Sequence, residues 1–193
     1  LTTSSAASDV YKRQEYGYTV IAPGFGFLRD VFTEPYIVNW RLTRNGAVSS
    51  EMPGVTVPYE AFPGSIGVMP GNQEVDKILK REAGLAGAGG AVLMPSGPGA
   101  LPADLCGEGG TAEDRCLRTI PPRENGGNMA VQQQQIGTRM LFPCFIDGCG
   151  LFVGDVHYAQ GDGEVSGTAI EMGSITTLML VKIHEGKGAK MSM

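Results

Sequence analysis

Along most of the chain, apolar and polar positions alternate in short runs broken by glycine and proline, the period of two that marks β-strands. Residues 18–22 (Tyr-Thr-Val-Ile-Ala) read as a buried strand turned by the Pro-Gly-Phe-Gly that follows. Residues 36–42 form a second strand, Asn45-Gly46 is a strong hairpin signal after it, and residues 55–57 supply the return. The apolar, proline-bracketed segment 62–70 is a further strand. Residues 138–145 and 151–157 are expected to pair across Asp147-Gly148, and residues 164–172 and 175–183 to make a second antiparallel pair. Trp40, the single tryptophan, is expected in the core. Only residues 73–83 carry helical spacing, with Val75, Ile78 and Leu79 on one face, Asn72 as N-cap and Gly84 as the stop. The Gly, Ala and Pro-rich stretch 85–113 reads as a long loop, and the glutamine run 132–135 as an exposed helical turn.

Composition sharpens this picture. The 193 residues include 29 glycines and 12 prolines, which disfavours a helical bundle and suits short strands and turns. The predicted fold class is therefore mainly β (α+β), an antiparallel sandwich or barrel-like arrangement with few short helices. A formal net charge of −5 argues against nucleic acid as a partner, since phosphate neutralisation calls for a basic patch. The basic run 77–81 is read as the solvated face of the helix. Gly24-Phe-Gly-Phe27 lacks the third spaced glycine, the lysine and the helix of a phosphate loop. No stretch has the eighteen apolar residues of a membrane helix, so the expectation is a cytoplasmic protein without a membrane partner. Cys106, Cys116, Cys144 and Cys149 show no CxxC pair or ribbon spacing, so neither structural zinc nor a disulfide framework is expected. Cys149 is a weak nucleophile candidate, because nothing beside it in the Asp-Gly-Cys-Gly turn would lower a thiol pKa.

Candidate chemistry collects between residues 123 and 171. In Val153-Gly-Asp-Val-His-Tyr158 the strand period places Asp155 and His157 on one face. The tight Gly161-Asp-Gly163 turn can fold Asp162 and Glu164 back toward them, with Glu164 opening the next strand. Three carboxylates and an imidazole suffice for a divalent metal with an open position, or for a general base beside an oriented histidine. The competing reading is a hydrogen-bonded structural histidine next to an ordinary Asp-Gly turn. Glu171, amid apolar neighbours, is expected to be either paired or raised in pKa and functional.

Several motifs occur in one order: residues 119–128 (Thr-Ile-Pro-Pro-Arg-Glu-Asn-Gly-Gly-Asn), 142–148 (Phe-Pro-Cys-Phe-Ile-Asp-Gly), 153–164 and 168–171 (Thr-Ala-Ile-Glu), with Pro-Gly-Ser-Ile-Gly-Val-Met-Pro at 63–70 upstream. In this the sequence resembles the acetamidase/formamidase family, from roughly residue 24 to residue 190. The resemblance implies a mainly β hydrolase of small linear amides that works as a homo-oligomer with a divalent metal, zinc or calcium. On this reading Asp155 and His157 are catalytic metal ligands with Asp162 as a further ligand, Glu164 is the general base, and Asn125, Asn128 and Gln160 hold the substrate. Many members carry His where Asn125 stands and Asp near Ala130, and an amide oxygen suits calcium better than zinc. The alternative is a non-catalytic β-sandwich module with a structural calcium or a carbohydrate site. Residues 1–14 resemble a translated sequencing adaptor, so the expected organisation is a non-native leader at 1–14 and a partial catalytic domain at 15–193, truncated at its C-terminus.

Overall fold

The computed structural model describes residues 2–7, 15–90, 102–117, 119–176 and 178–187, the first stretch by its backbone alone. The chain divides into two compact units: residues 1–66 with 130–141 and 153–185, and residues 67–129 with 142–152 and 186–193.

The first unit is built from antiparallel strands. Strands β2 (Tyr16–Ile21), β3 (Tyr36–Thr43), β4 (Gly46–Val48) and β5 (Thr56–Val57) form a sheet in that order. Asn45-Gly46 makes the hairpin expected of it, with Thr43 paired to Gly46. A second sheet holds β1 (Thr2–Ala7) between β10 (Leu178–Lys182) and β8 (Thr138–Leu141). The backbone of 2–7, set apart in the sequence as a leader, is thus a paired strand. Strand β6 (Phe62–Gly67) neighbours β9 (Phe152–His157).

The core of this unit gathers Trp40, Leu42, Ala47, Tyr158, Ala159 and Ile170. Its two amphipathic aromatics have partners for their polar ends, as burial requires. Trp40 Nε1 donates to Thr19 Oγ1 at 3.0 Å, and Tyr158 Oη donates to the Thr43 carbonyl at 2.5 Å. Tyr59 meets the Tyr158 ring edge-on at 5.1 Å. Burying Tyr158 pushes its hydroxyl pKa up to about 12, so it is a structural donor at all ordinary pH.

Two pairings differ from the sequence expectation. Strand β8 pairs with β1, and β9 neighbours β6, so the two do not form a hairpin across Asp147-Gly148. Likewise β10 pairs with β1, while segment 164–172 forms no regular ladder among the described residues and makes β-bridges at Glu171, to Tyr18 and His157. Alternation specifies which residues share a face, but not which strand lies alongside, and more distant strands took the edges. The glutamine run also departs from expectation: Gln134 is buried and Gln132-Gln133 form a turn.

The second unit carries helix α1 (Asn72–Gly87), the short α2 (Ala103–Cys106) and strand β7 (Gly126–Asn128). The helix starts at Gly71, whose carbonyl accepts from Val75 N at 3.0 Å, and Asn72 is its first residue and not its cap. It runs through Gly84 to Gly87, because Leu85 and Ala86 favour helix enough to offset one interior glycine, a cost of ~1 kcal/mol. Ile78 and Glu82 are buried on its inner face. Glu82 accepts two hydrogen bonds from Arg123, at 2.7 and 3.3 Å. Of the long loop expected at 85–113, residues 91–101 lie outside the described residues, and residues 102–113 include α2.

Both cysteine pairs of the second unit are bonded, Cys106 to Cys116 and Cys144 to Cys149. This corrects the expectation of free thiols. Separations of ten and five residues match no metal-ribbon spacing, and only the chain's path shows that each pair meets. The bond to Cys144 excludes Cys149 as a nucleophile. None of the described helices is long and apolar enough to cross a membrane.

Candidate active site

The first unit holds one fully buried imidazole faced by three carboxylates. His157 ends β9 with no exposed side-chain surface. Its Nε2 lies 3.2 Å from Asp155 Oδ1, 3.5 Å from Glu171 Oε2 and 3.9 Å from Glu164 Oε1. Phe62 closes one side of the ring, edge-on at 5.3 Å.

Each side chain arrives by a different local device. Asp155 and His157 are two apart on one strand, and the expected juxtaposition is present, though the strand is not regular. Asp155 has φ +54°, in the left-handed region that costs a non-glycine residue about 1–3 kcal/mol. Glu164 has φ +45° and sits between two turns, where Gly167 N bonds back to its carbonyl at 2.7 Å. The Gly161-Asp-Gly163 turn thus brings Glu164 to the imidazole without opening a strand. Glu171 comes from a later segment, held where its backbone bridges both Tyr18 and His157. Its Oε1 accepts from Ala169 N at 3.0 Å, which aims Oε2 at the ring.

Gly64 on β6 makes room for this group. A Cβ there would lie 2.7 Å from Asp155 Oδ2 and 2.7 Å from His157 Cε1, inside any real contact distance. The next residue, Ser65, donates from Oγ to Asp155 Oδ2 at 3.3 Å.

Gln160 decides which nitrogen of His157 carries the proton. Its Nε2 donates to the Ala130 carbonyl at 2.5 Å, so its Oε1 is the acceptor for Nδ1–H of His157 at 2.8 Å. A neutral ring therefore carries its hydrogen on Nδ1 and turns the Nε2 lone pair toward the carboxylates. A lone pair opposed to three acids is stable only with a positive species between them, a proton or a cation.

The electrostatics agree. Burial alone would depress the His157 pKa, but the hydrogen bond it donates to Asp155 and the charges of Glu171, Asp155 and Glu164 outweigh it and raise it. The same hydrogen bond holds the Asp155 carboxyl below its usual range against its partial burial. Burial raises Glu164, opposed by His157 and reinforced by the charges of Glu171 and Asp155. Two carboxylates of one cluster are thus pushed in opposite directions, the pattern of an anchored anion beside a proton acceptor.

Ligand atoms of Asp155, His157 and Glu171 all lie within 4.8 Å of one another, a spacing that could hold a metal ion. Asp162, the sequence candidate for third ligand, is elsewhere: its Oδ1 accepts from Gln132 Nε2 at 2.6 Å, and the residue is exposed. Asn125 and Asn128 belong to the second unit. There Asn125 is buried and donates to the Val68 carbonyl at 2.7 Å. Gln160, a substrate candidate, is bound to the histidine. Glu171 was visible in the sequence only as a carboxylate among apolar residues, and Gly64 only as one glycine of the 63–70 motif.

Two cavities border the cluster. One of about 710 Å³ is lined by Asp155 and Glu171 together with Tyr18, Met172 and Ser174. Another, of about 630 Å³, is lined by Gln160 and Glu164 and by many apolar side chains. Carboxylates of the group therefore line open space, unlike those of a closed structural shell.

Comparison with known proteins agrees with these features. Residues 6–193 match the sequence model of the Acetamidase/Formamidase family. The chain is 34% identical over 184 residues to an acetamidase from Mycolicibacterium smegmatis, covering 89% of this chain and 45% of that protein. It is 32% identical over 170 residues to a formamidase from Methylophilus methylotrophus, covering 84% and 42% respectively. Among solved structures, a gamma lactamase from Delftia acidovorans superposes with a TM-score of 0.80 at 30% identity, over 91% of this chain and 45% of that one. The chain thus spans 42–45% of the length of these three relatives. With the family motifs in order along the sequence, and the match continuous from residue 6 to residue 193, this chain belongs to the acetamidase/formamidase family.

Proposed function

We propose that the protein hydrolyses the carbon–nitrogen bond of small amides, releasing ammonia and a carboxylate. The observation that carries this reading is the His157 Nε2 lone pair aimed at three carboxylates beside an open cavity. Relatives that bear the names acetamidase and formamidase support it.

The donor set of one imidazole nitrogen and carboxylate oxygens fits a divalent cation, with Asp155, His157 and Glu171 as its ligands. Such a set favours zinc over calcium, which takes six to eight oxygens. When bound, the cation would supply Lewis-acid polarisation of the amide carbonyl and a lowered pKa for water. The remaining work falls to the chain. Glu164 Oε1 takes a proton from the attacking water and delivers it to the departing nitrogen, a shuttle suited to a carboxyl raised in pKa. Gln160 keeps the Nδ1 proton in place so that Nε2 stays available as a ligand. The amide takes up one water, the C–N bond breaks, and ammonia leaves.

The test is metal content and ammonia release from formamide and acetamide, measured on one sample of the protein. Stoichiometric metal with amide-dependent ammonia is expected, and both should be lost together in Asp155→Ala. Ammonia release that persists unchanged after metal is stripped would exclude a role for the ion.

A further inference from the structure

The 630 Å³ cavity beside Glu164 is far larger than an amide of one or two carbons requires. Volumes of roughly 300–1,000 Å³ are those of sites for drug-sized ligands. Its wall is hydrocarbon: Phe25, Leu28, Phe32, Trp40, Val55 and Val57 supply much of it.

The polar groups in that wall are already engaged with one another. Thr19 Oγ1 accepts from Trp40 Nε1 and donates to the Ala169 carbonyl at 2.8 Å. Thr168 Oγ1 donates to the Val20 carbonyl at 2.9 Å, and Ser166 Oγ donates to the Thr168 carbonyl at 2.8 Å. Gln160 is held by His157 and Ala130, and Asp162 by Gln132. Of the two glutamates in the lining, Glu60 is exposed, whereas Glu164 is half-buried and reaches toward the His157 ring. The cavity is thus an open apolar cleft, with Phe25, Leu28, Phe32 and Val55 exposed in its wall, whose half-buried acid belongs to the reactive cluster.

Resting on the amide-hydrolase reading above, we infer that this cleft is the acyl subsite of the enzyme. Its preferred substrates are then primary amides of medium-length apolar acids, with the hydrocarbon against Phe32 and Val55 and the amide at Glu164. Formamide and acetamide would react but leave most of the cleft wet. Each buried methylene of a longer acyl chain contributes ~0.8 kcal/mol, about fourfold in kcat/KM while the chain still fills the space.

The experiment is the kcat/KM series formamide, acetamide, butyramide and hexanamide on the protein, repeated with Val55→Trp, which puts a bulky ring into the cleft. The expected result is a rise of about fourfold per methylene from acetamide to hexanamide, flattened or inverted in the variant. A wild-type series that falls from acetamide to hexanamide overturns the acyl subsite while leaving the amidase reading intact. No ammonia from any of the four amides overturns the amidase reading, and this inference with it. The wild-type series decides the matter even if the variant does not fold.

Discussion

The two units of this chain each bury charged side chains, and they do so on opposite terms. In the second unit, Arg123 donates two hydrogen bonds to Glu82, with side chains 6% and 8% exposed. The guanidinium fork matches the carboxylate, and Arg123 donates as well to the Pro121 carbonyl at 3.3 Å, so the pair is satisfied within the fold, as burial demands. In the first unit, one imidazole meets three carboxylates, and two of those carboxylates sit on strained backbone. Its charges do not balance. A balanced buried pair is what a fold needs for itself, whereas a surplus of anions around one histidine is kept for something that arrives from outside.

The sharpest way to break that contrast is to remove one partner from each cluster. Glu82→Ala should destabilise the protein by about 3–5 kcal/mol in denaturant titration, because it takes the hydrogen-bonded carboxylate from a buried guanidinium, and should leave metal stoichiometry untouched. His157→Ala should abolish metal binding and lower amide turnover by at least about 10³-fold, the scale of losing a central catalytic group, at a smaller loss of stability. Metal retained at full stoichiometry in His157→Ala would place the ion elsewhere.

A smaller effect tests whether the histidine is oriented or merely enclosed. Gln160→Ala removes the acceptor from Nδ1 and should weaken metal affinity by about 10–100-fold, the usual consequence of losing a ligand's hydrogen-bond partner. Gln160→Glu retains an acceptor and should recover part of it. Equal affinities in wild type and both variants would mean that the tautomer is set by something else.

The smallest effect concerns pH without metal. His157 is raised, so its protonated form stabilises the fold fully below about 6.5, and that contribution fades as pH climbs through its higher folded value. Glu164, raised above 4.5, also loses stability as pH rises through its folded value. Asp155 is lowered, so its contribution is present above about 3.8 and disappears as pH falls through its folded pKa. Metal-free protein should therefore be most stable in mildly acidic solution and lose stability on the alkaline side. Added metal should cancel that loss. A metal-free melting temperature that stays flat from pH 6 to 8.5 would count against a proton held among the carboxylates.

Gly64 shows why part of the site escaped sequence reading. Its backbone is packed so closely against Asp155 and His157 that no side chain fits, yet nothing in Pro63-Gly-Ser-Ile marks which distant strand will press there. Asp155 and His157 were readable because a strand fixes the faces of residues two apart. Their position next to a glycine turn made Glu164 readable as well. Asp162 looked as good as Glu164 by the same logic, and only the direction in which the turn closes separates them.

The sequence by itself determined the β character, the Asn45-Gly46 hairpin, a helix in the seventies and the pairing of Asp155 with His157 on one strand. These depend on local period, turn chemistry and propensity, which act over a few residues. Tertiary structure alone decided that β9 lies beside β6, that Glu171 completes the anionic group, that Gln160 serves the histidine, and that four cysteines meet in two pairs. Those outcomes depend on which surfaces bury one another across long stretches of chain, and the free energy of that burial belongs to no single segment.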